Sequence, residues 1–134
     1  MSSAVPKTAS RSAPMQVAEE KYSAAVASDA RGTRVVFRGT ISTVNPATVL
    51  NPFVDAVHEH VVKGGERRVW VDMRELEFCN SSGFKSFVHW IQRIGELPDA
   101  SRYGLTFLSN PLRKWQKTSL LALSCYAISV VTIE

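Results

Sequence analysis

The chain has 134 residues, of which 45% are hydrophobic and 21% charged, and its formal net charge at pH 7 is +4. This length suffices for one domain with its own core, and the composition is that of an ordinary globular protein. The basic residues are scattered apart from short clusters such as Arg67-Arg68, which indicates solvated faces rather than a stripe that follows a phosphate backbone. We therefore expect no nucleic-acid partner.

The N-terminus and the apolar runs predict where the protein resides. No apolar run approaches the roughly 20 residues of a membrane-spanning helix, and the N-terminus lacks the apolar segment of a secretory signal. We expect a cytoplasmic protein without membrane insertion, in which Cys79 and Cys125 are buried free thiols. Residues 1–15, rich in Ser, Ala, Thr and Pro, are predicted to be a disordered leader, and the folded domain to span residues 16–134.

The first elements are predicted to be a β-hairpin and a helix. Residues 16–30 carry alternating apolar positions, and residues 34–39 are rich in β-formers after a turn. Asn45 is the expected N-cap of the first helix, with Pro46 at its first position and Gly64-Gly65 at its end. Pro52 either marks a later helix start or kinks the helix. The apolar face comprises Leu50, Phe53, Val54, Val57 and Val61.

The middle of the chain predicts a buried strand and a second helix. Residues 69–71 form a continuous apolar run, typical of a strand covered on both faces. Residues 73–79 are expected to be a connection with Leu76 and Phe78 pointing inward. Asn80 or Ser81 should cap the second helix, which ends near Gly95. Its apolar stripe is Phe84, Phe87, Val88, Ile91 and Ile94, and Trp90 beside it is assigned to the core, with an exposed patch as the alternative.

The C-terminal part predicts a strand, a helix and a final strand. Residues 103–108 form the strand, and the third helix should run from Leu112 to about Leu121, with Leu112, Leu120 and Trp115 inward. Residues 127–133 alternate and are β-branched, which is typical of a strand. The alternation of strands and helices predicts an α/β fold with right-handed crossovers.

No constellation of residues predicts catalysis or a cofactor. The chain has no phosphate-binding glycine loop and no nucleophile elbow. His58, His60 and His89 lack the spacing of metal ligands, and we expect them on solvated helix faces. We therefore predict no enzyme activity, no catalytic residues, no metal site and no cofactor.

The segment Asn80-Ser81-Ser82-Gly83 is the strongest functional signal. It places two hydroxyl groups where a strand leads into a helix, next to unpaired backbone N–H groups and the positive end of the helix dipole. A phosphate on either serine would be tolerated there. The simpler interpretation is that these residues only cap the helix.

The chain resembles the STAS family, the sulphate-transporter and anti-sigma-factor-antagonist domain. The resemblance lies in residues 69–73 followed by residues 76–84, because family members have an apolar strand that ends in Asp and then a motif such as Asp-Ser-Ser-Gly-Leu. Asp72 and Asn80 have that spacing, and the order of elements agrees. The resemblance implies a single STAS-like domain with a four- to five-stranded mixed sheet and helices packed mainly on one side.

The resemblance also implies a phospho-switched regulatory binding protein, in which Ser81 is the phosphoacceptor and Ser82 the alternative. The implied partners are a GHKL-type serine kinase that is also an anti-sigma factor and a PP2C-type phosphatase. Asn80 stands where many phosphorylated members have Asp, and this favours the alternative of an unphosphorylated scaffold subunit in a stress-signalling assembly or a membrane transporter ATPase complex. The predicted partner surface is Thr43, Asn45, Asn80, Ser81, Ser82, Gly83, Phe84 and Lys85.

Overall fold

The computed structural model describes residues 15–134, so the predicted leader lies outside the described residues except for Met15. Within this described range, six strands form one sheet in the order of the sequence. The strands are β1 (Gln16–Ala18), β2 (Tyr22–Asp29), β3 (Gly32–Ile41), β4 (Arg68–Cys79), β5 (Gly104–Leu108) and β6 (Val131–Ile133). The helices are α1 (Ala47–Gly64), α2 (Ser81–Gly95) and α3 (Lys114–Tyr126), with a short 3₁₀ helix at Asp99–Ser101.

The sheet is mixed. β1, β2 and β3 pair antiparallel, whereas β3 to β6 are parallel and are joined by α1, α2 and α3. The predicted α/β fold with a mixed sheet is confirmed. The sheet has six strands instead of the four or five expected, and residues 16–29 supply two of them.

The core lies between one face of the sheet and the helices. Phe37 of β3 packs edge-on against Phe53 of α1 and Phe87 of α2, with ring centroids 6.2 and 5.2 Å apart. Residues on the opposite face, such as Arg34 and Trp70, are only half-buried. Helices on one side of the sheet, as predicted, therefore bury one apolar face and leave the other partly open to solvent.

The predicted connection at residues 73–79 is wrong, because these residues continue β4. Leu76 is buried as expected, but Phe78 is 45% exposed. Two register shifts against β3 place an extra residue in β4 each time, so the inward positions become Met73, Leu76 and Cys79. A regular alternation from Leu76 would have turned Phe78 inward; the second shift turns it outward.

Several predicted helix and strand limits are corrected. Pro46, not Asn45, precedes α1 and makes no side-chain cap, whereas Gly65 ends this helix with a left-handed φ of 65°. α3 begins at Lys114, so Leu112 is 88% exposed instead of inward. β6 covers only Val131–Ile133 of the predicted residues 127–133.

The predicted burial of single side chains is confirmed in part. The core assignment of Trp90 is confirmed, since its side chain is fully buried; Leu120 is buried as predicted and Trp115 is half-buried. Cys79 is buried, but Cys125 is exposed, contrary to the prediction.

The expectation that His58 faces solvent is wrong. Its side chain is buried, and Nδ1 lies 2.6 Å from the hydroxyl of Tyr103. Trp90 Nε1 donates to that same hydroxyl at 2.8 Å. Since the hydroxyl oxygen accepts from Trp90, its one hydrogen is free to point at His58 Nδ1, and this requires the neutral imidazole with its proton on Nε2. This buried network joins α1, α2 and the start of β5.

We expect the His58 network to make the protein less stable in mild acid. Burial, and secondly the Arg93 guanidinium, lower the pKa of His58 below its ordinary 6.5, while Asp55, Glu59 and Glu96 act in the opposite direction. Below pH 6.5 the unfolded chain therefore binds a proton that the folded chain resists, and stability is lost as the pH falls. Urea midpoints at about pH 7.5 and 5.5 should show a loss that is smaller in His58→Asn. The exposed His60→Asn serves as the control, and an equal loss in all three proteins would contradict the assignment.

Candidate functional site

The paired serines lie where β4 ends and α2 begins, at the carboxyl edge of the sheet. Asn80 has extended backbone geometry, and its Oδ1 accepts a hydrogen bond from the Gly83 N–H at 2.8 Å. Its carbonyl oxygen accepts from the Phe84 N–H at 3.1 Å. Of the two predicted caps, Asn80 is the one that the structure contains. The backbone N–H groups of Ser81 and Ser82 occupy the first turn, where a helix offers no carbonyl partner.

Asn80 also joins the helix start to the loop before α1. Its backbone N–H donates to the Ile41 carbonyl at 2.9 Å, and its side-chain Nδ2 donates to the Thr43 carbonyl at 2.9 Å. The predicted surface residues of loop 42–46 and of α2 therefore lie side by side. Asn45 is exposed, and its carbonyl accepts from the Thr48 hydroxyl at 3.1 Å.

The two serines differ in accessibility. Ser81 and Lys85 are exposed, whereas Ser82 and Phe84 are half-buried and Gly83 is buried. Of the two serines, Ser81 is the more accessible to another protein.

Gly83 allows α2 to start close to the sheet. A Cβ atom at this position would lie 2.6 Å from Cys79 Sγ and 2.8 Å from Ile41 Cγ2. The motif therefore requires glycine at this position for steric reasons. Any side chain would push the start of α2 away from the ends of β3 and β4.

An apolar groove of about 450 Å³ opens beside Ser81, between α2 and α3. Phe84 lines this groove and packs edge-on against Phe87 and Trp115, with ring centroids 5.5 and 6.2 Å away. Sequence reasoning missed this groove because α3 is remote in sequence and its outward positions carry no motif. The lining residues are Cys79, Ser81, Phe84, Val88, Ser119, Ala122, Leu123 and Tyr126.

The electrostatics at the helix start favour an anion. The first turn of α2 contains no acidic residue, and Lys85 follows Ser81 by one turn. The helix dipole adds a positive partial charge at the same end. Burial raises the pKa of the Cys79 thiol to about 12, which keeps it neutral and unreactive as a nucleophile.

Residues 15–134 contain neither a metal-binding cluster nor a membrane-spanning helix. Within this part of the chain, no group of three or more His, Cys, Asp or Glu side chains could hold a metal ion. No helix in the same range has both the length and the apolar character to cross a bilayer.

Comparison with known proteins identifies the fold. No protein-family model matches the chain, and neither does any curated protein sequence. Among solved structures, an anti-sigma factor antagonist from Mycobacterium paratuberculosis matches with a TM-score of 0.57 at 18% sequence identity, over 81% of this chain and 85% of that one. The chain therefore has the fold of an anti-sigma factor antagonist, the STAS fold that its sequence motif predicted.

Proposed function

We propose that this protein is a cytoplasmic signal-transduction protein of the anti-sigma-factor-antagonist type, which binds a protein partner and is not an enzyme. Phosphorylation of Ser81 lowers its affinity for that partner. The partner is a GHKL-type serine kinase that serves as an anti-sigma factor, and a PP2C-type phosphatase removes the phosphate. The observation that carries the proposal is the exposed Ser81 hydroxyl at the start of α2, between loop 42–46 and the apolar groove.

The chemistry of a phosphate at this position supports a switch. A free Ser81 hydroxyl is small and neutral, so a partner can cover both the loop and the groove. A phosphate adds about 1.5 to 2 negative charges with their hydration shell. The helix dipole and Lys85 stabilise this dianion in the free protein. Covering it with an apolar or acidic partner surface costs several kcal/mol, and the complex therefore dissociates.

Ser82 is the alternative acceptor within the same motif. Ser82 is half-buried whereas Ser81 is exposed, and we therefore assign the phosphate to Ser81.

The switch is tested by placing phosphoserine at position 81 during synthesis. The unmodified protein is used to capture its partner from cells of the source organism, and the partner, once identified by mass spectrometry, is purified for binding measurements. We expect phosphoserine 81 to weaken that binding by about a hundredfold, the equivalent of roughly 2.7 kcal/mol. Ser81→Ala should bind but no longer respond to kinase and ATP.

A matched control carries phosphoserine at the exposed Ser28, near the β2–β3 turn at the other end of the sheet. It adds the same charge and should leave the affinity unchanged. Equal binding by the protein with and without phosphate on Ser81 would exclude the switch.

The neutral Asn80 favours a second candidate function, an unphosphorylated scaffold subunit. In that case the captured partner would be a stress-signalling assembly of high mass or a transporter ATPase. Ser81 would carry no phosphate in cells, as intact-mass measurement of the purified protein would show.

A further inference from the structure

We infer that Asn80 is a positioning residue that fixes loop 42–46 to the start of α2, so that both parts of the predicted partner surface form one rigid unit. The link between Asn80 and the loop is a property of the free protein. Only the consequence of this link for partner binding rests on the proposed function.

The geometry assigns separate roles to the two ends of the Asn80 carboxamide. Oδ1 accepts from the Gly83 N–H at 2.8 Å and caps α2, whereas Nδ2 donates to the Thr43 carbonyl at 2.9 Å and holds the loop. The backbone of Asn80 is bound at the same time to Ile41 and Phe84. One residue thus links the end of β3, the loop and the first turn of α2.

Most of the loop has no packing of its own, because Pro46 is its one buried residue. Residues 42–45 are all exposed, and Val44 has 94% of its surface open to solvent. Side-chain burial within residues 42–45 therefore does not hold Thr43 between the buried Ile41 and Pro46. The hydrogen bond from Asn80 contacts Thr43 directly.

An aspartate at this position would separate the two roles. Its carboxylate can accept from the Gly83 N–H, and its charge suits the helix N-terminus. It has no hydrogen to donate, so a carboxylate oxygen would face the Thr43 carbonyl oxygen at the distance of a hydrogen bond. The loop would then be released while the cap remained. The neutral asparagine is thus required by the loop and not by the helix.

A fixed loop has a consequence for recognition. Residues that are ordered before association do not lose that conformational freedom on binding, and the affinity is correspondingly higher. Asn80 therefore contributes to partner affinity through Thr43 without requiring a contact of its own with the partner.

The inference is tested on the free, full-length protein by limited digestion with thermolysin, which cuts before Val44. We expect Asn80→Asp to raise the rate of cleavage at this bond about fivefold, the population change caused by loss of one neutral hydrogen bond. The thermal midpoint should fall by no more than the few degrees that the loss of this one hydrogen bond accounts for, because the cap is retained. Asn80→Ser, which also caps but is too short to reach Thr43, should behave in the same way and covers the case in which the aspartate variant does not fold.

Asn80→Ala is the comparison for a purely structural role, since it removes both the cap and the loop contact. It should lower the thermal midpoint and raise cleavage together. If Asn80→Asp and Asn80→Ser are cleaved at the parental rate, or if their midpoints fall as far as that of Asn80→Ala, Asn80 is a helix cap alone and the inference is overturned.

The binding step is distinguished by a separate measurement on the captured partner. Weaker binding by Asn80→Asp supports a partner surface that includes the loop. If the loop is loosened but the partner affinity is unchanged, the loop does not belong to the partner surface. That outcome does not contradict the hydrogen bond between Asn80 and the loop, nor the Ser81 switch.

Discussion

Tyr103→Phe is expected to lower the free energy of unfolding by about 3 kcal/mol, although it removes a single oxygen atom. The Tyr103 hydroxyl is buried. It accepts a hydrogen bond from Trp90 Nε1 at 2.8 Å and donates one to His58 Nδ1 at 2.6 Å. Its removal leaves a donor and an acceptor without partners in the core. Each such group costs about 1 to 3 kcal/mol, because the water that satisfied it in the unfolded chain is not replaced.

Urea unfolding followed by far-UV circular dichroism measures this loss. Tyr126→Phe is the matched control, since Tyr126 is 56% exposed and its hydroxyl is 3.4 Å from Gln92. The control should stay within about 0.5 kcal/mol of the parent. A loss below about 1 kcal/mol in Tyr103→Phe would mean that Trp90 and His58 find other partners, contrary to the proposed network.

The His58 network shows what the sequence could and could not provide. His58 lies four residues after Val54 and three before Val61, on the apolar stripe of α1, so its burial was visible in the helical spacing. Its polar residue type led to the opposite prediction. The partner Tyr103 lies 45 residues away, and only the assembled sheet and helices bring the two rings together.

The candidate site also has one part that the sequence predicts and one part that depends on the assembled fold. The N-cap at Asn80 follows from a local pattern of a few residues, a capping side chain directly before an amphipathic helix. The contact of Asn80 with Thr43 depends on the pairing of Ile41 with Cys79, and that register follows from two irregularities along β3 and β4. The same irregularities turned Phe78 outward. No local sequence pattern predicts these two register shifts.

Gly83→Ala is expected to lower the free energy of unfolding by about 2 kcal/mol, against the usual preference of helices for alanine. The new methyl group would lie 2.6 Å from Cys79 Sγ and 2.8 Å from Ile41 Cγ2, and both of these atoms belong to the strands that carry α2 and the loop. Overpacking of this kind costs about 1 to 3 kcal/mol, and the gain in helix propensity of up to about 1 kcal/mol offsets only part of it.

Gly95→Ala at the other end of α2 is the matched control, because a Cβ there meets no atom within 4 Å. It makes the same chemical change in the same helix, and chemical denaturation should show an unchanged or slightly more stable protein. Equal stability of the two variants would mean that the helix start can move outward at little cost. The position of Ser81 would then not depend on the close approach at Gly83, and the geometry that exposes its hydroxyl would lose its physical basis.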